Sequence, residues 1–194
     1  IATCPLPVFK ILLLLHATVS ENACFGTADI TDFYLGSPMP SPEFIIMPAH
    51  LFSPAALDKV GATPYVQTDS KGNRFFYCAV EKTMPGFRQA GFHAHAQLVD
   101  LLKASGYYQV QPCLFTHHTD NIYFGLVVDD FGIKYTNPAD FDRLIACLNK
   151  NYHVKASPIA TDFLGCTIAH DRERRLLSLS MPHYIPAMLK RFRP

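Results

Sequence analysis

The sequence has almost no net charge, no cysteine pair at metal-binding spacing, no apolar run long enough to cross a bilayer, and no internal repeat. A balance of +1 over 194 residues removes the whole-chain basic excess of a dedicated nucleic-acid-binding domain, so a polyanion has to be held by local patches. The six cysteines, Cys4, Cys24, Cys78, Cys113, Cys147 and Cys166, are scattered with no CxxC. That excludes the common zinc frameworks and reads as reduced, mostly buried thiols of an intracellular protein. The apolar run Val8 to Leu15 is interrupted by Lys10 and closed by His16. Spanning a bilayer takes about 20 apolar residues, so a buried helix over Pro7 to Ser20 is expected, ahead of a signal-peptide core, and no membrane partner. The chain starts on Ile and ends on a basic run closed by Arg193-Pro194, which reads as two ends cut from something longer.

What is present is a chain 49% hydrophobic, enough for one compact core or one domain with a smaller attachment. Its most unusual stretch runs from Ile122 to Ile133, where two short apolar strands flank the adjacent carboxylates Asp129 and Asp130 at a turn. Two like charges side by side repel. Either water solvates them at an ordinary turn or a cation sits on them.

Taken in order, Cys24 to Gly36 reads as a strand that delivers Asp29 near its end and then turns tightly into Tyr34. Pro38, Pro40, Pro42 and Pro48 punctuate the next stretch, leaving Glu43 to Met47 as a short strand. A short helical or looped segment closes at Asp58 to Gly61. Tyr65 to Thr68 and Arg74 to Val80 then form a hairpin around Asp69 to Asn73.

A loop from Glu81 leads into a helix over roughly Arg88 to Ser105, with Ala94, Leu98, Leu101 and Leu102 at helical spacing and Gly106 as the stop. Tyr107 to Phe115 reads as one strand, followed by a polar turn at His117 to Asn121 and the carboxylate hairpin. Asn137 and Pro138 start a further helix, with Phe141, Leu144, Ile145 and Leu148 as its buried stripe. Asp162 to Ile168 and Leu176 to Leu179 form a hairpin around Asp171 to Arg175, and an amphipathic helix follows Pro182.

This order gives an α+β fold, an antiparallel sheet with two helices packed on one face, in a split β-α-β arrangement. In such a sheet the first strand and the carboxylate hairpin lie side by side, which brings Asp29 to Asp129 and Asp130. Three carboxylates on one edge call for counter-charge. Two hard cations about 3.5–4 Å apart supply it and are the usual clamp for phosphoryl transfer. Magnesium suits that role, because it keeps waters and shares positions with substrate phosphates.

Five segments carry a resemblance: Asp29-Ile-Thr-Asp-Phe-Tyr34-Leu-Gly36, Glu43 to Met47, Lys82-Thr-Met-Pro-Gly86-Phe-Arg-Gln89-Ala-Gly91, Val127-Val128-Asp129-Asp130 and Phe163-Leu164-Gly165. In order and spacing they resemble the reverse transcriptase domain of copia-type LTR retrotransposons, over nearly the whole chain. The resemblance implies a polymerase palm-type sheet with part of the fingers. Residues 1–194 would form one partial unit: palm at about 24–38 and 106–170, fingers-like segments at about 1–23 and 39–105, and the start of a thumb at about 171–194.

The implied activity is RNA-directed DNA synthesis with two Mg2+ ions, Mn2+ being an alternative. Asp29, Asp129 and Asp130 would be metal ligands, with the Ile30 carbonyl as an extra one, and Lys155 the proton donor to pyrophosphate. Tyr34 would exclude a 2′-hydroxyl, with Asp32, Phe33 and Gln89 also at the nucleotide. Val127, Val128, Phe163, Leu164 and Gly165 would touch the primer. Implied partners are an RNA or DNA template with primer, dNTPs, and RNase H and integrase domains outside this stretch. The implied location is cytoplasmic, in virus-like particles.

Some positions depart from the family: Val127 stands where a tyrosine is usual, Pro85 replaces another tyrosine, and Gly86-Phe87-Arg88-Gln89 stands for the more common Gly-Leu-Pro/Lys-Gln. They keep a second reading open, a catalytically silent remnant that acts as a binding or scaffold module. A histidine and aspartate metal hydrolase is disfavoured, since His93 and His95 cannot face the same way on a helix and His117 and His118 read as turn residues.

Overall fold

The structure is a computed structural model, which describes residues 10, 12, 22–87, 89–171, 173–174 and 176–192. Of the expected helix over Pro7 to Ser20 only Lys10 and Leu12 are described, both helical, with Leu12 buried in the core; the rest of that stretch, Arg88, and the Arg172 and Arg175 of the basic turn lie outside the described residues. The fold is α+β, built on antiparallel sheets. Six strands form the main sheet: β1 (Cys24–Thr31), β5 (Tyr107–Gln111), β6 (Leu114–His117), β7 (Ile122–Val127), β8 (Asp130–Tyr135) and β9 (His153–Ser157). Their spatial order is β5-β6-β7-β8-β1-β9. The first strand is therefore inserted between the carboxylate hairpin and β9.

Two helices cover one face. In α2 (Ala90–Ala104) the positions Ala94, Leu98 and Leu102 recur every four residues and are all fully buried. Gly106 ends it with φ 90°, and any Cβ there would come within 2.6 Å of the His117 ring. In α3 (Pro138–Leu148) the Asn137 side chain accepts the Ala139 N–H and Pro138 takes the first turn, as the sequence implied. Its buried stripe is Phe141, Leu144, Cys147 and Leu148, with Ile145 only half-buried. Asp140 and Asp120, both largely buried, share the Arg143 guanidinium at 2.6 and 2.9 Å. This fork ties α3 to the turn before β7.

Gly26 sets how closely this layer packs. A Cβ there would lie 2.7 Å from the Phe141 ring and 2.8 Å from the Ser157 carbonyl. Only glycine lets β1 pass between α3 and the end of β9.

A second sheet, in the order β2-β4-β3, is formed by β2 (Pro38–Pro48), β3 (Gln67–Thr68) and β4 (Arg74–Lys82). Its small core of Ala49, Leu57, Ala62 and Phe76 is closed by α1 (Pro54–Lys59), which Ser53 caps by accepting the Ala56 N–H. A third sheet stacks β10 (Asp162–Phe163), β11 (Cys166–Asp171) and β12 (Leu176–Ser180) in sequence order. The last helix, α4 (Tyr184–Phe192), buries none of its residues.

Two strand expectations need correction. The stretch Tyr107 to Phe115 is not one strand but a hairpin, β5 and β6, whose tip holds Cys113 at φ 59°. Pro112 has no N–H to continue a ladder, and the left-handed residue after it reverses the chain. Conversely, β2 runs through Pro38, Pro40 and Pro42 to Pro48, well beyond Glu43 to Met47. Among the described residues β4 is its only strand neighbour, and its register shifts between Pro38 and Glu43. An open edge and a bulge both tolerate missing N–H groups.

Candidate active site

Along β1 the residues alternate. Ala28 and Ile30 are buried towards the helices, while Thr27, Asp29 and Thr31 are half-buried on the opposite face. Register then assembles the site. Asp29 is the Cα partner of Asp130 on β8 and of Lys155 on β9. Directly opposed residues leave a sheet on the same side, about 4.5–5.5 Å apart at Cβ. Lys155, Asp29, Asp130 and Val127 therefore form one row across four strands.

The β7–β8 connection is a two-residue turn of Val128 and Asp129, closed by the Val127–Asp130 pair. Val128 sits at φ 60°, a conformation a β-branched residue adopts only under constraint. The Ile30 N–H donates to the Asp129 carbonyl at 3.2 Å, which ties the turn to β1. In an antiparallel ladder a residue's N–H and C=O point the same way, so the Ile30 carbonyl faces this turn as well.

Lys155, Asp29 and Asp130 of this row form one wall of an open cleft of about 390 Å³, which Phe163, Leu164 and Gly165 also line and Val127 does not. The opposite wall is the β10–β11 turn, in which Leu164 and Gly165 both have positive φ, 49° and 76°. Phe163 anchors it edge-on against Phe25 at 5.9 Å, while Leu164 is exposed at the tip. The expectation of a strand at Phe163 to Gly165 thus holds only for Phe163.

Charge in the cleft is lopsided. Burial pushes the Asp130 carboxyl above the usual carboxylate range, and the charges of Asp129 and Asp29 push it the same way. Tyr34 is also raised, first by burial and then by the nearby Asp129 charge. Tyr34 is therefore within electrostatic reach of the turn. Lys155 is exposed and forms no ion pair within 4 Å among the described residues.

Other expected residues are placed elsewhere. Phe33 is buried in the main core at 2% exposure, so its ring cannot touch a nucleotide and only its main chain is offered. Asp32 is exposed at φ 53° and opens the turn that carries Tyr34. Gln89 occupies the cap position of α2, exposed, with its side-chain oxygen 3.1 Å from the His93 ring, and it does not line the cleft.

Thr27, Ser157 and Asp162 line the cleft although the sequence did not single them out. Only strand register reveals them. Asp162 accepts from Thr161 and Thr167 at its edge.

Among the described residues no three His, Cys, Asp or Glu side chains stand close enough to hold a metal ion by themselves. The donor set nonetheless suits a hard cation, because the Asp130 carboxyl is raised first by burial and then by the charges of Asp129 and Asp29, and a cation beside it offsets both. Magnesium binds through one or two carboxylates with waters and substrate phosphates and needs no all-protein cage. No helix among the described residues is long and apolar enough to cross a membrane.

No protein-family model matches the chain. Over 126 residues, 62% of its length, it is 29% identical to the retrovirus-related Pol polyprotein from transposon TNT 1-94 of Nicotiana tabacum. It spans 10% of that polyprotein. In structure it is similar to apo telomerase from Candida tropicalis, with a TM-score of 0.51 and 11% identity, over 92% of this chain and 37% of that one. At that identity the likeness is one of fold. The chain is thus similar in sequence to a segment of a transposon-encoded Pol polyprotein and in fold to part of a telomerase.

Proposed function

We propose that the chain is the palm, with part of the fingers, of a retrotransposon RNA-directed DNA polymerase that adds deoxynucleoside monophosphates to a primer 3′-hydroxyl. The observation that carries this reading is the register of Asp29 against Asp130, with Asp129 in the turn one residue before. The similarity to a transposon Pol polyprotein supports it.

Asp29, Asp129 and Asp130 would hold two Mg2+ ions, with Mn2+ as a substitute and the Ile30 carbonyl as a further ligand. When bound, these ions activate the 3′-hydroxyl and neutralise charge on the triphosphate. The chain's own residues do the rest. The 3′-hydroxyl gives up its proton to solvent, its oxygen forms a bond to the α-phosphorus, the bond to pyrophosphate breaks, and Lys155 hands a proton to the departing pyrophosphate from its place beside Asp29 and is reprotonated from solvent.

Tyr34 stands under the incoming sugar and clashes with a 2′-hydroxyl, while the Asp32 and Phe33 main chain and Gln89 flank the nucleotide. The primer end lies between the Val127-Val128 turn and the Phe163-Leu164-Gly165 turn. Template, primer and dNTPs are the partners, and the RNase H and integrase parts of the polyprotein complete the element, in cytoplasmic virus-like particles. In this reading residues at about 24–38 and 106–170 are palm, those at about 1–23 and 39–105 fingers-like, and those at about 171–194 the start of a thumb.

A second reading, a silent remnant that binds template without chemistry, draws on the absence of a preassembled three-ligand group among the described residues and on Val127. Single-nucleotide extension of a primer on an RNA template with Mg2+ separates the two. Incorporation of the templated dNMP is expected, and template binding with no incorporation favours the remnant.

A further inference from the structure

Thr83 follows β4 where the chain sets out for α2, and it has no exposed surface. Its N–H donates to the Ser37 carbonyl at 2.8 Å, and its hydroxyl donates to the Tyr34 carbonyl. The Tyr34 carbonyl also accepts the Ser37 N–H at 3.1 Å, and the Gly36 N–H reaches the Asp32 carbonyl at 3.1 Å. The Asp32 to Ser37 turn is thus closed within itself and strapped from outside by a residue 49 positions along the chain. From the side, the Tyr34 ring meets Phe33 at 5.6 Å, and Phe33 rests on Tyr152 at 6.0 Å.

A wall that selects by clash works only if it cannot yield. A ring carried on a turn retreats easily when the turn can shift, and the wrong sugar is then accommodated at little cost. Here the ring is braced by a neighbour, and its main chain is held by a buried hydroxyl.

We propose that Thr83 is the positioning residue for Tyr34, so that discrimination against ribonucleotides is set by the β4–α2 loop as well as by the tyrosine. This rests on Tyr34 facing the incoming sugar, as proposed above. Thr83 touches no substrate and acts through the Tyr34 main chain alone.

The test compares kcat/KM for a dNTP and the matching rNTP in the parent chain, Thr83→Val, Thr83→Ser and Tyr34→Ala. Val keeps the buried volume and loses the donor, whereas Ser keeps the donor. Thr83→Val is expected to lower the dNTP preference by about tenfold, with a much smaller change for the dNTP itself, and Thr83→Ser to keep the parent ratio. An unchanged ratio in Thr83→Val, while Tyr34→Ala loses its preference, overturns the inference and leaves the polymerase reading standing. An inert parent chain, or a Tyr34→Ala ratio equal to the parent's, overturns both.

Hydrogen exchange supplies a readout independent of activity. The Ser37 amide should exchange about tenfold faster in Thr83→Val than in Thr83→Ser if the strap holds the turn. Equal exchange in the two variants removes it.

Discussion

Asp29 and Asp130 are Cα partners across β1 and β8, so their carboxylates leave the sheet on the same face, in the row that Lys155 extends on the other side of Asp29. The arrangement works against folding of the unliganded chain. Burial and two neighbouring charges all disfavour the Asp130 carboxylate, and among the described residues the exposed Lys155 of the same row forms no ion pair with it. In the proposed reading, a cation held by these carboxylates would offset that cost.

The first prediction takes up that cost. A carboxyl whose folded pKa is raised contributes stability below its unfolded value, near about 3.9, and that contribution is lost as pH rises through the folded value. Asp130→Asn should therefore raise the melting temperature of the metal-free chain at pH 7 by about 1–2 °C, the size of a change near 0.5 kcal/mol at a half-exposed site. At pH 3.5, roughly below the unfolded value, the two should melt together. Millimolar Mg2+ should stabilise the parent and not the variant, and thermal melts at both pH values check all three outcomes.

Gly26→Ala should destabilise the chain by about 2 kcal/mol in urea titration. The new methyl meets Phe141 at 2.7 Å and the Ser157 carbonyl at 2.8 Å, and the latter is backbone that cannot rotate away. Because β1 carries Asp29, the same substitution should disturb the carboxylate row without touching it.

Leu164 bears backbone strain at an exposed turn tip, with φ 49°. Asn tolerates that conformation, so Leu164→Asn should gain about 0.5–1 kcal/mol of stability. In the proposed reading it also removes an apolar contact to the primer, and primer affinity should fall. A substitution that stabilises the chain while weakening extension marks strain kept for function. A stable variant with unchanged primer affinity removes Leu164 from the primer-contacting set.

Much of the architecture was legible because it rests on local chemistry. The Asn137-Pro138 start, the leucine spacing of α2 and the Asp69 to Asn73 turn all declare themselves within a few residues. Asp69 closes that turn by accepting the Lys71 and Asn73 N–H groups at 2.8 Å. What escaped depends on distant partners. Pro112 gave a turn signal that the apolar run around it masked. The prolines of β2 read as breaks because nothing local says that the strand lies on an edge.

The candidate site divides in the same way. Asp29, Asp129 and Asp130 stand out as charges in apolar surroundings, and the order of elements brings their strands together. The row with Lys155 depends on β9 pairing with β1 in one register, which no local pattern specifies. Thr83 is equally silent, since its partner lies 49 residues away and a threonine after a strand has no burial signature of its own. Phe33 misleads for the converse reason: it belongs to a polar, motif-like run but points into the core.

The central claim is that the three carboxylates act together in nucleotidyl transfer. It is tested most directly by single-nucleotide primer extension on an RNA template with Mg2+, comparing the parent chain with Asp129→Asn combined with Asp130→Asn. The account predicts incorporation by the parent and a loss of at least about a thousandfold in the double variant, the scale of removing charge-stabilising groups from a reacting centre. Incorporation that survives the double substitution would contradict it.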